Sequence, residues 1–552
     1  MAKRIFAVFL VAAVLIAGCS KSGSKTSVPK FNHENLSLPT DLEIMSPAFF
    51  YNNGDEILTT DERDEWTNAI TERYGVYVTV TVPTDETYAS MLKQVNSQEI
   101  HGMVYVSGRA FDTVQYFKNN DAIVPLDEYL SDNPAWLSLP EAMRNMYMID
   151  GHIWAIPSSL TYTMKTRSFR TDWLKQLGLQ TPTDLDSLKN YAQAFVNSGI
   201  EGTAICGDAD LSWALDIFNA FGVRIDSSGQ FGYAYDPESG TYIDGFLQPR
   251  AAEALQYLRD LYQIKAIDQN LFNQAADEVS QALDNGQYGS YYSTIGDGKY
   301  GFGLYAAANV IYESTSVWPT TDEKWSELTS LYTEIASLKN SGAEVPQVLF
   351  PDGSAYVMVN GTAQPAETAN FFVDLLYGSE ANYLEAHVGL AANTVRNSDG
   401  SVTLKMKLDE DASEEAGEGV YVSRHTPDLV GIVEGLYNSQ NLEILTNDDE
   451  NTRIHKKEAA DYEKQTMATA LNAKSVQKLE LKYSFPVSKA FNENVSAIAT
   501  AFHTCFVNAI SNKDYTVQKA LSEYAAAMEQ IGAQQVLIEA NAAIGKTATQ
   551  RY

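Results

Sequence analysis

The first part of the chain alternates strand-like and helix-like segments, and this alternation limits the possible fold more than any other feature. Apolar, β-rich runs cover Leu42 to Phe49, 76–82 and 102–108, and each is followed by a polar segment with the features of a helix. This order predicts an α/β lobe with a mainly parallel sheet flanked by helices. Ligands of such sheets bind beyond the carboxyl ends of the strands, so the loops 51–56 and 107–111 are the first candidates for a binding site.

The pattern restarts after the stretch "DGHIWAIP" at Asp150–Pro157, which ends in a proline followed by two serines. New helices are predicted at 171–179 and 184–197, with a strand at 202–208 between them and later elements. A chain of 552 residues is long enough for two or more domains. We therefore expect two or more domains, or one large two-lobed body, with the α/β pattern restarting after 150–157.

The N-terminus has the features of an export signal. Lys3 and Arg4 precede the apolar stretch Ile5–Ala17, which is too short to span a membrane comfortably. Its ending, "LIAGC", resembles the bacterial lipobox, in which the cysteine becomes the lipid-bearing N-terminus. We predict a lipoprotein signal peptide at 1–18, lipidation at Cys19 and a flexible tether at 19–36. The alternative is an ordinary secretion signal with a cysteine there by chance.

Charge and cysteine content exclude several classes of function. The chain has 39 basic and 71 acidic side chains, a net charge of −32, which argues against nucleic acid or an anionic lipid surface as a partner. Beyond Cys19, only Cys206 and Cys505 remain, so one disulfide is possible, although two isolated buried thiols are favoured. The seven histidines are scattered, and neither C-x-x-C nor H-E-x-x-H occurs, so no metal or other cofactor is expected. The oxygen-rich loops lack EF-hand spacing and are interpreted as solvated.

The segment 151–188 resembles extracellular solute-binding lipoproteins of family 1. That family has a Gly-Lys-x-Tyr-Ala-x-Pro run, then a strand, then Arg-x-Asp-Trp-Leu and Leu-Gly-Leu. The matching residues here are Gly151, Trp154, Ala155, Pro157, Arg170, Asp172, Trp173, Leu174, Leu177, Gly178, Leu179 and Pro182. The family's usual Gly-Asp-x-Pro-Asp before the third strand is absent, and 396–482 is longer and more acidic than is typical.

The resemblance implies a periplasmic-binding-protein-like fold of type II, in which two lobes close on a ligand cleft between them. Lobe 1 would comprise 37–157 and 354–395, and lobe 2 would comprise 158–353 and 396–552. Hinges are expected near Ile156–Ser159 and Ser354–Tyr356. The family also implies a monomer held at the cell membrane by lipid on Cys19, facing the extracellular side or periplasm, which delivers an oligosaccharide to ABC transporter permease subunits.

A sugar site of this kind combines aromatic rings, which stack on pyranose faces, with polar groups that bind hydroxyls. We selected rings and polar residues at strand ends or beside small and polar neighbours. The candidates are Tyr51, Asn52, Asn53, Arg109, Phe111, Tyr162, Asp208, Asp210, Trp213, Tyr291, Tyr292 and Tyr356. Trp213 leads this set, and its alternative role is a ring that packs at a helix N-terminus.

Two other functions compete with solute binding. Asp208 and Asp210 could be the carboxylate pair of a glycosidase, although hydroxyl acceptors or helix caps are the simpler interpretation. No G-x-S-x-G, Walker or dinucleotide-binding motif occurs, so no enzyme activity is expected. An adhesive glycan-binding lipoprotein is the other alternative. The sequence leaves open which sugar binds, and whether peptides or other small solutes bind instead.

Overall fold

The fold is described from a computed structural model of the chain. The described residues are 37–47, 60–83, 85–107, 110–274, 276–300, 322–351, 353–391, 394–398, 402–404, 407–408, 421–422, 429–431, 433, 436–437, 444–445, 450–486 and 488–552. Tyr51, Asn52, Asn53 and Arg109 lie outside them, as does Cys19.

Strands and helices alternate through most of the described chain. The strands are β1 Asp41–Met45, β2 Tyr77–Thr81, β3 Met103–Val106, β4 Met148–Ile149, β5 His152–Ile153, β6 Ile156–Pro157, β7 Lys165–Arg170, β8 Tyr233–Asp236, β9 Thr241–Asp244, β10 Ser290–Thr294, β11 Tyr332–Ile335, β12 Gln347–Leu349, β13 Ala355–Met358, β14 Thr394–Arg396, β15 Val402–Leu404, β16 Lys407–Leu408, β17 Tyr421–Val422, β18 Ile444–Leu445 and β19 Val476–Lys478. The helices are α1 Thr60–Tyr74, α2 Asp85–Asn96, α3 Ala110–Asn119, α4 Asp127–Leu130, α5 Pro134–Ser138, α6 Glu141–Arg144, α7 Thr171–Leu177, α8 Leu185–Ser198, α9 Leu215–Ala220, α10 Ala251–Gln263, α11 Ala276–Asp284, α12 Asp297–Tyr300, α13 Asp322–Ser330, α14 Pro365–Tyr377, α15 Glu380–His387, α16 Glu450–Asn472, α17 Lys489–Ile510, α18 Val517–Ile531 and α19 Gln534–Ala543.

The chain divides into two compact units. Unit 1 comprises Met1–Tyr162, Pro351–Lys457 and Glu480–Lys482, and unit 2 comprises Thr163–Phe350, Glu458–Leu479 and Tyr483–Tyr552. The sequence analysis placed the main boundaries at 157/158 and 353/354, a few residues away. It also assigned 396–457 to the second lobe, whereas the structure groups these residues with unit 1. Within this stretch, Leu429 N donates to Ala386 O and Gly431 N donates to Ser158 O, both in unit 1.

Unit 1 is built around a five-stranded sheet of order β2-β1-β3-β13-β6. β1 is parallel to β2 and β3, whereas β13 is antiparallel to β3 and β6. All four residues of β13 are buried, as expected of a strand that is covered on both faces. The predicted α/β class is confirmed, but the sheet is mixed, because the strand that enters late in the chain runs against β3.

Helix α14 packs beside this sheet and holds β6, the strand at the end of the sheet order. Phe372 is fully buried and meets the ring of Tyr356 edge-on at 4.9 Å. Tyr377 Oη donates to Pro157 O at 2.7 Å. Pro365 occupies the first turn of the helix, where its missing N–H costs no intrahelical bond. The helix therefore begins where the sequence allows it and buries its aromatic residues against the sheet.

The two predicted hinge segments pair with each other inside unit 1. Ile156 and Pro157 of β6 face Tyr356 and Ala355 of β13. Beyond this pair, Ser158 N donates to Ser354 O at 3.0 Å, and the two serine hydroxyls lie 2.9 Å apart. The unit boundaries at 162/163 and 350/351 lie a few residues further along these segments. Motion about them remains a prediction.

Unit 2 contains a three-stranded sheet in which the central strand, β7, is antiparallel to β10 and β11. Parallel pairing occurs at the isolated bridges Thr203↔Tyr288 and Ile205↔Ile267, so the expected mainly parallel sheet is instead mixed. Helix α8 begins with a capping box, in which Ser187 N donates to Asp184 Oδ1 at 2.7 Å. It ends at Gly199, whose φ of 74° suits glycine.

A helical layer completes unit 2. Phe246 stacks on Phe502 of α17 at 4.3 Å, within a core to which α8, α10, α17, α18 and α19 contribute. The fully buried Asp244 accepts hydrogen bonds from Tyr524 Oη at 2.5 Å and Tyr552 Oη at 2.7 Å. These bonds connect β9 to α18 and to the segment after α19.

One open question from the sequence, the pairing of two cysteines, is answered by the described residues. Cys206 and Cys505 are both buried free thiols, and burial raises the pKa of each. They therefore behave as small apolar residues. Among the described helices, none combines the length and apolarity that a membrane crossing requires.

Candidate functional site

Three chain segments converge at one edge of the unit 2 sheet. The bridge Thr203↔Tyr288 is parallel, and Cys206 N donates to Ser290 O at 2.8 Å, so the segment 203–206 runs in the same direction as β10. Both therefore end at the same edge. β7 runs the opposite way, and its first residue, Lys165, faces Thr294 at the end of β10. In α/β proteins, ligands bind beyond carboxyl ends of this kind.

A buried ion pair connects β7 to the segment that follows residue 206. Arg167 is fully buried and makes a bidentate pair with Asp216, with Nε to Oδ2 at 2.5 Å and Nη2 to Oδ1 at 2.7 Å. Nη2 also donates to Trp213 O at 2.8 Å, and the guanidinium carbon lies 5.7 Å from the centre of the Tyr292 ring. One side chain thus holds the loop after 206 against β7 and β10.

The loop 207–213 presents its carboxylates and buries its tryptophan. Trp213 is 3% exposed, and its Nε1 donates to Asp208 O at 3.2 Å. Asp208 Oδ1 accepts from Ala209 N at 2.5 Å, and Asp210 Oδ1 accepts from Ser212 N at 2.8 Å. Both aspartates remain half-buried. The free oxygens of the two carboxylates are therefore the accessible hydrogen-bonding groups of this loop, while the indole supports it.

Two more carboxylates lie at the same edge, one in β11 and one in the turn after β10. Glu334 of β11 accepts hydrogen bonds from Thr166 Oγ1 at 3.0 Å, Gly296 N at 3.2 Å and Lys299 N at 3.1 Å. Asp297 begins α12, and its backbone oxygen accepts from Tyr291 Oη at 3.1 Å. These bonds fix the turn 294–299 on the end of the sheet.

Burial and mutual repulsion perturb these groups. Burial, reinforced by the charge of Glu334, raises the pKa of Asp297 to about 7. Burial also raises the pKa of Glu334 and of Asp208. For Lys165, burial lowers the pKa, while the negative charges of Asp210, Asp226 and Asp297 partly offset that effect. Perturbed pKa values of this kind cluster at functional sites, so the edge is the best-supported site in the described part of the chain.

The structure places five of the predicted site residues at this edge. Asp208, Asp210, Trp213, Tyr291 and Tyr292 all lie there. The three aromatic rings are buried, so the polar side chains form the accessible surface. The role of each in ligand binding remains a prediction.

The predicted residues in unit 1 have other surroundings. Tyr356 is fully buried in β13 and packs against Phe372. Phe111 is half-buried in α3 and stacks on Tyr147 with ring centres 6.1 Å apart. Tyr162 is half-buried and forms an isolated bridge with Pro351. They lie in three different environments, so no second cluster of predicted residues forms among those described here.

Sequence reasoning missed Lys165, Asp297 and Glu334. The signal for Glu334 was a charged residue inside the apolar strand "YTEI", a position where carboxylates are rare unless they have partners. Asp297 follows Gly296 just after a strand, and a Gly-Asp pair in that position is common in surface turns. For Lys165, no local signal distinguishes it from a solvated strand start, since its neighbours come from distant segments.

The family of the chain follows from sequence comparison. Residues 65–397, more than half of the chain, match the family model for bacterial extracellular solute-binding proteins. The chain belongs to this family. No group of three or more His, Cys, Asp or Glu side chains arranged for a metal ion occurs among the residues described for this solute-binding protein.

One curated relative aligns with about half of the chain. The lipoprotein LipO of Bacillus subtilis (strain 168) is 23% identical over 271 residues, which cover 48% of the solute-binding protein and 49% of LipO. The alignment thus spans about half the length of that curated relative.

Solved structures share the fold over nearly the whole chain. An HMO binding ABC-transporter associated solute binding protein from Bifidobacterium longum infantis has a TM-score of 0.64 at 14% identity, covering 90% of this chain and 97% of that one. The alginate-binding protein AlgQ2 gives 0.56 at 16% identity, covering 91% and 97%. FusA of S. pneumoniae, solved in complex with kestose, gives 0.54 at 13% identity, covering 90% and 97%. At these identities the likeness establishes the type II solute-binding fold and nothing about the ligand.

Replacing Arg167 by Met should lower the free energy of unfolding by about 3–5 kcal/mol, because Asp216 would remain buried without its cation. Urea unfolding at neutral pH would measure the loss. Arg250→Met is the matched control: its ion pair with Glu253 is exposed and should contribute less than about 1 kcal/mol. Equal effects of the two substitutions would contradict the role given to the Arg167–Asp216 pair.

The raised pKa of Asp297 predicts a pH dependence of stability with a definite sign. The folded protein holds the Asp297 proton up to about pH 7, whereas the unfolded chain releases it near its ordinary value of about 4. The contribution of Asp297 to stability is thus fully present below about pH 4 and is lost as the pH rises through 7, with a slope of at most about 1.4 kcal/mol per pH unit. Urea unfolding of wild type and Asp297→Asn across pH 4–8 should show that the variant loses less stability over this range. Parallel curves would contradict the assignment.

Proposed function

We propose that this protein is the lipid-anchored substrate-binding component of an ABC importer. In this proposal it captures an oligosaccharide between two closing lobes and delivers it, chemically unchanged, to a membrane permease. Membership of the extracellular solute-binding family supports the binding role. The sugar and the lipid anchor are the parts that experiment must establish.

The observation that carries the proposal is the accessible pair Asp208 and Asp210 on a loop that Trp213 and Arg167 hold rigidly. One oxygen of each aspartate accepts from a backbone N–H of the same loop, Ala209 N for Asp208 and Ser212 N for Asp210, which leaves the other oxygen to accept a hydrogen bond from a ligand hydroxyl. Carboxylates fixed in this way are pre-organised, so binding loses little side-chain entropy. This is the chemistry that recognition of a sugar requires.

In this proposal, closure of the two lobes on the ligand is the step that makes the protein ready for the permease. The paired segments 156–159 and 354–356 lie in unit 1 and lead to the unit boundaries at 162/163 and 350/351, and the chain also passes between the units at 457/458, 479/480 and 482/483. A ligand that binds the closed arrangement more tightly would shift the population toward it, and the permease would receive that state. The B. subtilis relative is named a lipoprotein, which supports an anchor at Cys19 that keeps the protein near its permease.

One observation favours a glycosidase as the competing function. Asp297, with a pKa raised to about 7, has the protonation behaviour of a general acid. It is only 9% exposed, and a buried carboxyl is poorly placed for proton transfer to a leaving group. We therefore favour binding without cleavage.

The soluble body, without residues 1–18 and with Cys19 replaced by Ser, should show a higher melting temperature with one or more oligosaccharides in a thermal-shift screen. The bound sugar should be recovered unchanged. Asp210→Asn should weaken its affinity about tenfold, because one charge-assisted hydrogen bond is lost. Asp260→Asn, on the outer face of α10 beside Lys189, is the control and should leave affinity unchanged.

The outcomes separate the candidate functions. Steady release of shorter products would replace the binding role by an enzymatic one. Binding to a polysaccharide without compaction on a short ligand, measured by small-angle scattering, would favour an adhesin. Stabilisation by peptides alone would retain the binding role and remove the sugar.

The anchor has its own test in the full chain. Replacing Cys19 by Ser should move the exported protein from the membrane fraction to the soluble fraction and abolish labelling by a fatty-acid analogue. Ser20→Ala is the matched neighbouring control and should stay membrane-bound. Continued membrane association of Cys19→Ser would contradict lipid anchoring at this residue.

A further inference from the structure

Part of the long acidic region after β14 lies against the chain segment that leads out of unit 1. Its described residues 429–431 and 433, which we call the brace, run beside the residues that follow β6. Gly431 N donates to Ser158 O at 2.8 Å, and Val433 forms a parallel bridge with Leu160. A region to which the sequence assigned no role thus contributes backbone contacts to the first connecting segment.

The contact between the brace and this segment is close enough to favour glycine at position 431. A Cβ atom placed on Gly431 would lie 3.1 Å from Ser159 Cβ, so a larger side chain would push the two segments apart. Ser158 and Ser159 are buried here, and their hydroxyls lie 2.9 and 3.3 Å from that of Ser354. The brace and the two connecting segments are therefore packed together within unit 1.

The brace is itself anchored in the body of unit 1. Leu429 is fully buried, and its N–H donates to Ala386 O of α15 at 3.0 Å. The hydroxyl of Tyr383, in the same helix, donates to Gly431 O at 2.8 Å. Bending of the chain at 158–160 would therefore disturb several buried hydrogen bonds, each of which is costly to leave unmade.

The first connecting segment joins unit 2 at Met164. The backbone oxygen of Met164 accepts from Ile295 N at 2.8 Å, and β7 begins at the next residue. Three residues, 161–163, therefore lie between the stretch held by the brace and the stretch held by unit 2. All three are at least partly exposed, whereas Leu160 and Met164 on either side are buried.

The return segment has the same arrangement. Leu349 O accepts from Leu479 N at 2.9 Å in unit 2, and Gly353 O accepts from the Tyr147 hydroxyl in unit 1. Residues 350–351 lie between these two anchors. Each connecting segment thus has a short stretch that neither set of contacts holds in place.

We infer that the brace holds residues 158–160 in unit 1 and confines bending between the units to 161–163 and 350–351. The isolated bridge Tyr162↔Pro351 places these two stretches side by side, so that they form a single joint. Gly431 and Tyr383 are then positioning residues for closure, although both lie outside the joint.

The joint lies a few residues away from the hinges expected from the sequence, 156–159 and 354–356. Those residues are paired and share buried hydrogen bonds. A hinge absorbs a large change of φ and ψ over a few residues, which costs least where few contacts constrain the backbone. The inference rests on the proposed function, since it specifies where the proposed closure bends.

Hydrogen exchange of the soluble protein, followed by mass spectrometry, tests the location of the joint. Ser158 N and Gly431 N donate to backbone oxygens within the braced stretch. Fragments covering 156–160 and 429–431 should therefore exchange at least about tenfold more slowly than the fragment covering 161–163. Equal or slower exchange of 161–163 would overturn the inference.

Two variants test the role of the brace. Tyr383→Phe removes the hydroxyl that donates to Gly431 O, and Gly431→Val forces a side chain against Ser159. Each should speed exchange in the fragment 156–160 about tenfold, as expected for the loss of one buried hydrogen bond. Tyr88→Phe is the matched control, because it removes a hydroxyl that donates to a backbone oxygen elsewhere in unit 1, and it should leave this exchange unchanged.

Single-molecule FRET between labels on Ser90→Cys in unit 1 and Ser522→Cys in unit 2, both exposed, reports motion between the units. Both brace variants should widen the distribution of distances, and Tyr88→Phe should leave it as in wild type. A lower melting temperature with an unchanged distribution would indicate a merely structural contact and would overturn the inference. If Gly431→Val does not fold, Tyr383→Phe alone decides.

These measurements need no ligand, so their failure is distinguishable from failure of the sugar-binding proposal, which the thermal-shift screen decides. Folded brace variants with wild-type exchange and wild-type distances would overturn the inference whether or not a sugar binds.

Discussion

The bidentate pair between Arg167 and Asp216 is the interaction on which the rest of the candidate site depends. A buried arginine is stable only when its charge and its donors are satisfied, and here the carboxylate of Asp216 and the Trp213 carbonyl accept from it at short distances. Because Asp216 and Trp213 lie almost 50 residues beyond Arg167 in the chain, the arginine fixes the end of the loop 207–213 relative to β7. The positions of Asp208 and Asp210 follow from this constraint.

Aromatic and acidic residues have different roles in the site. Trp213, Tyr291 and Tyr292 were selected as stacking surfaces, yet the structure uses their rings as packing beneath the edge. Their polar atoms still shape it: the Tyr291 hydroxyl holds the Asp297 backbone, and the Trp213 indole holds that of Asp208. These bonds fix the backbone that carries the carboxylates of Asp208 and Asp297.

The connection between the units also depends on contacts between residues that are far apart in the chain. The segments that contain Ser158 and Ser354 come from positions almost 200 residues apart, yet they pair as strands and share hydrogen bonds in unit 1. With the passages at 457/458, 479/480 and 482/483, the chain crosses between the units five times, and several passages restrain relative motion more than one would. This arrangement suits a protein whose proposed function requires the lobes to close along a reproducible path.

The sequence by itself determined the fold class, the order of elements in the first part of unit 1, and the family, because these depend on local periodicity and on spaced motifs. The strand starts near 42, 76 and 102 were predicted within two residues of β1, β2 and β3. It also placed Asp208 and Asp210 on a loop between a strand and a helix. Tertiary structure alone decided that Trp213 is buried, and that the charge of Lys165 lies within range of both Asp210 and Asp297. The strand β13, more than 240 residues beyond β3, runs antiparallel to it, a direction that no local pattern encodes. Burial and charge depend on neighbours that are remote along the chain, and for that reason the pKa values and the charge balance of the site could not be obtained from local sequence.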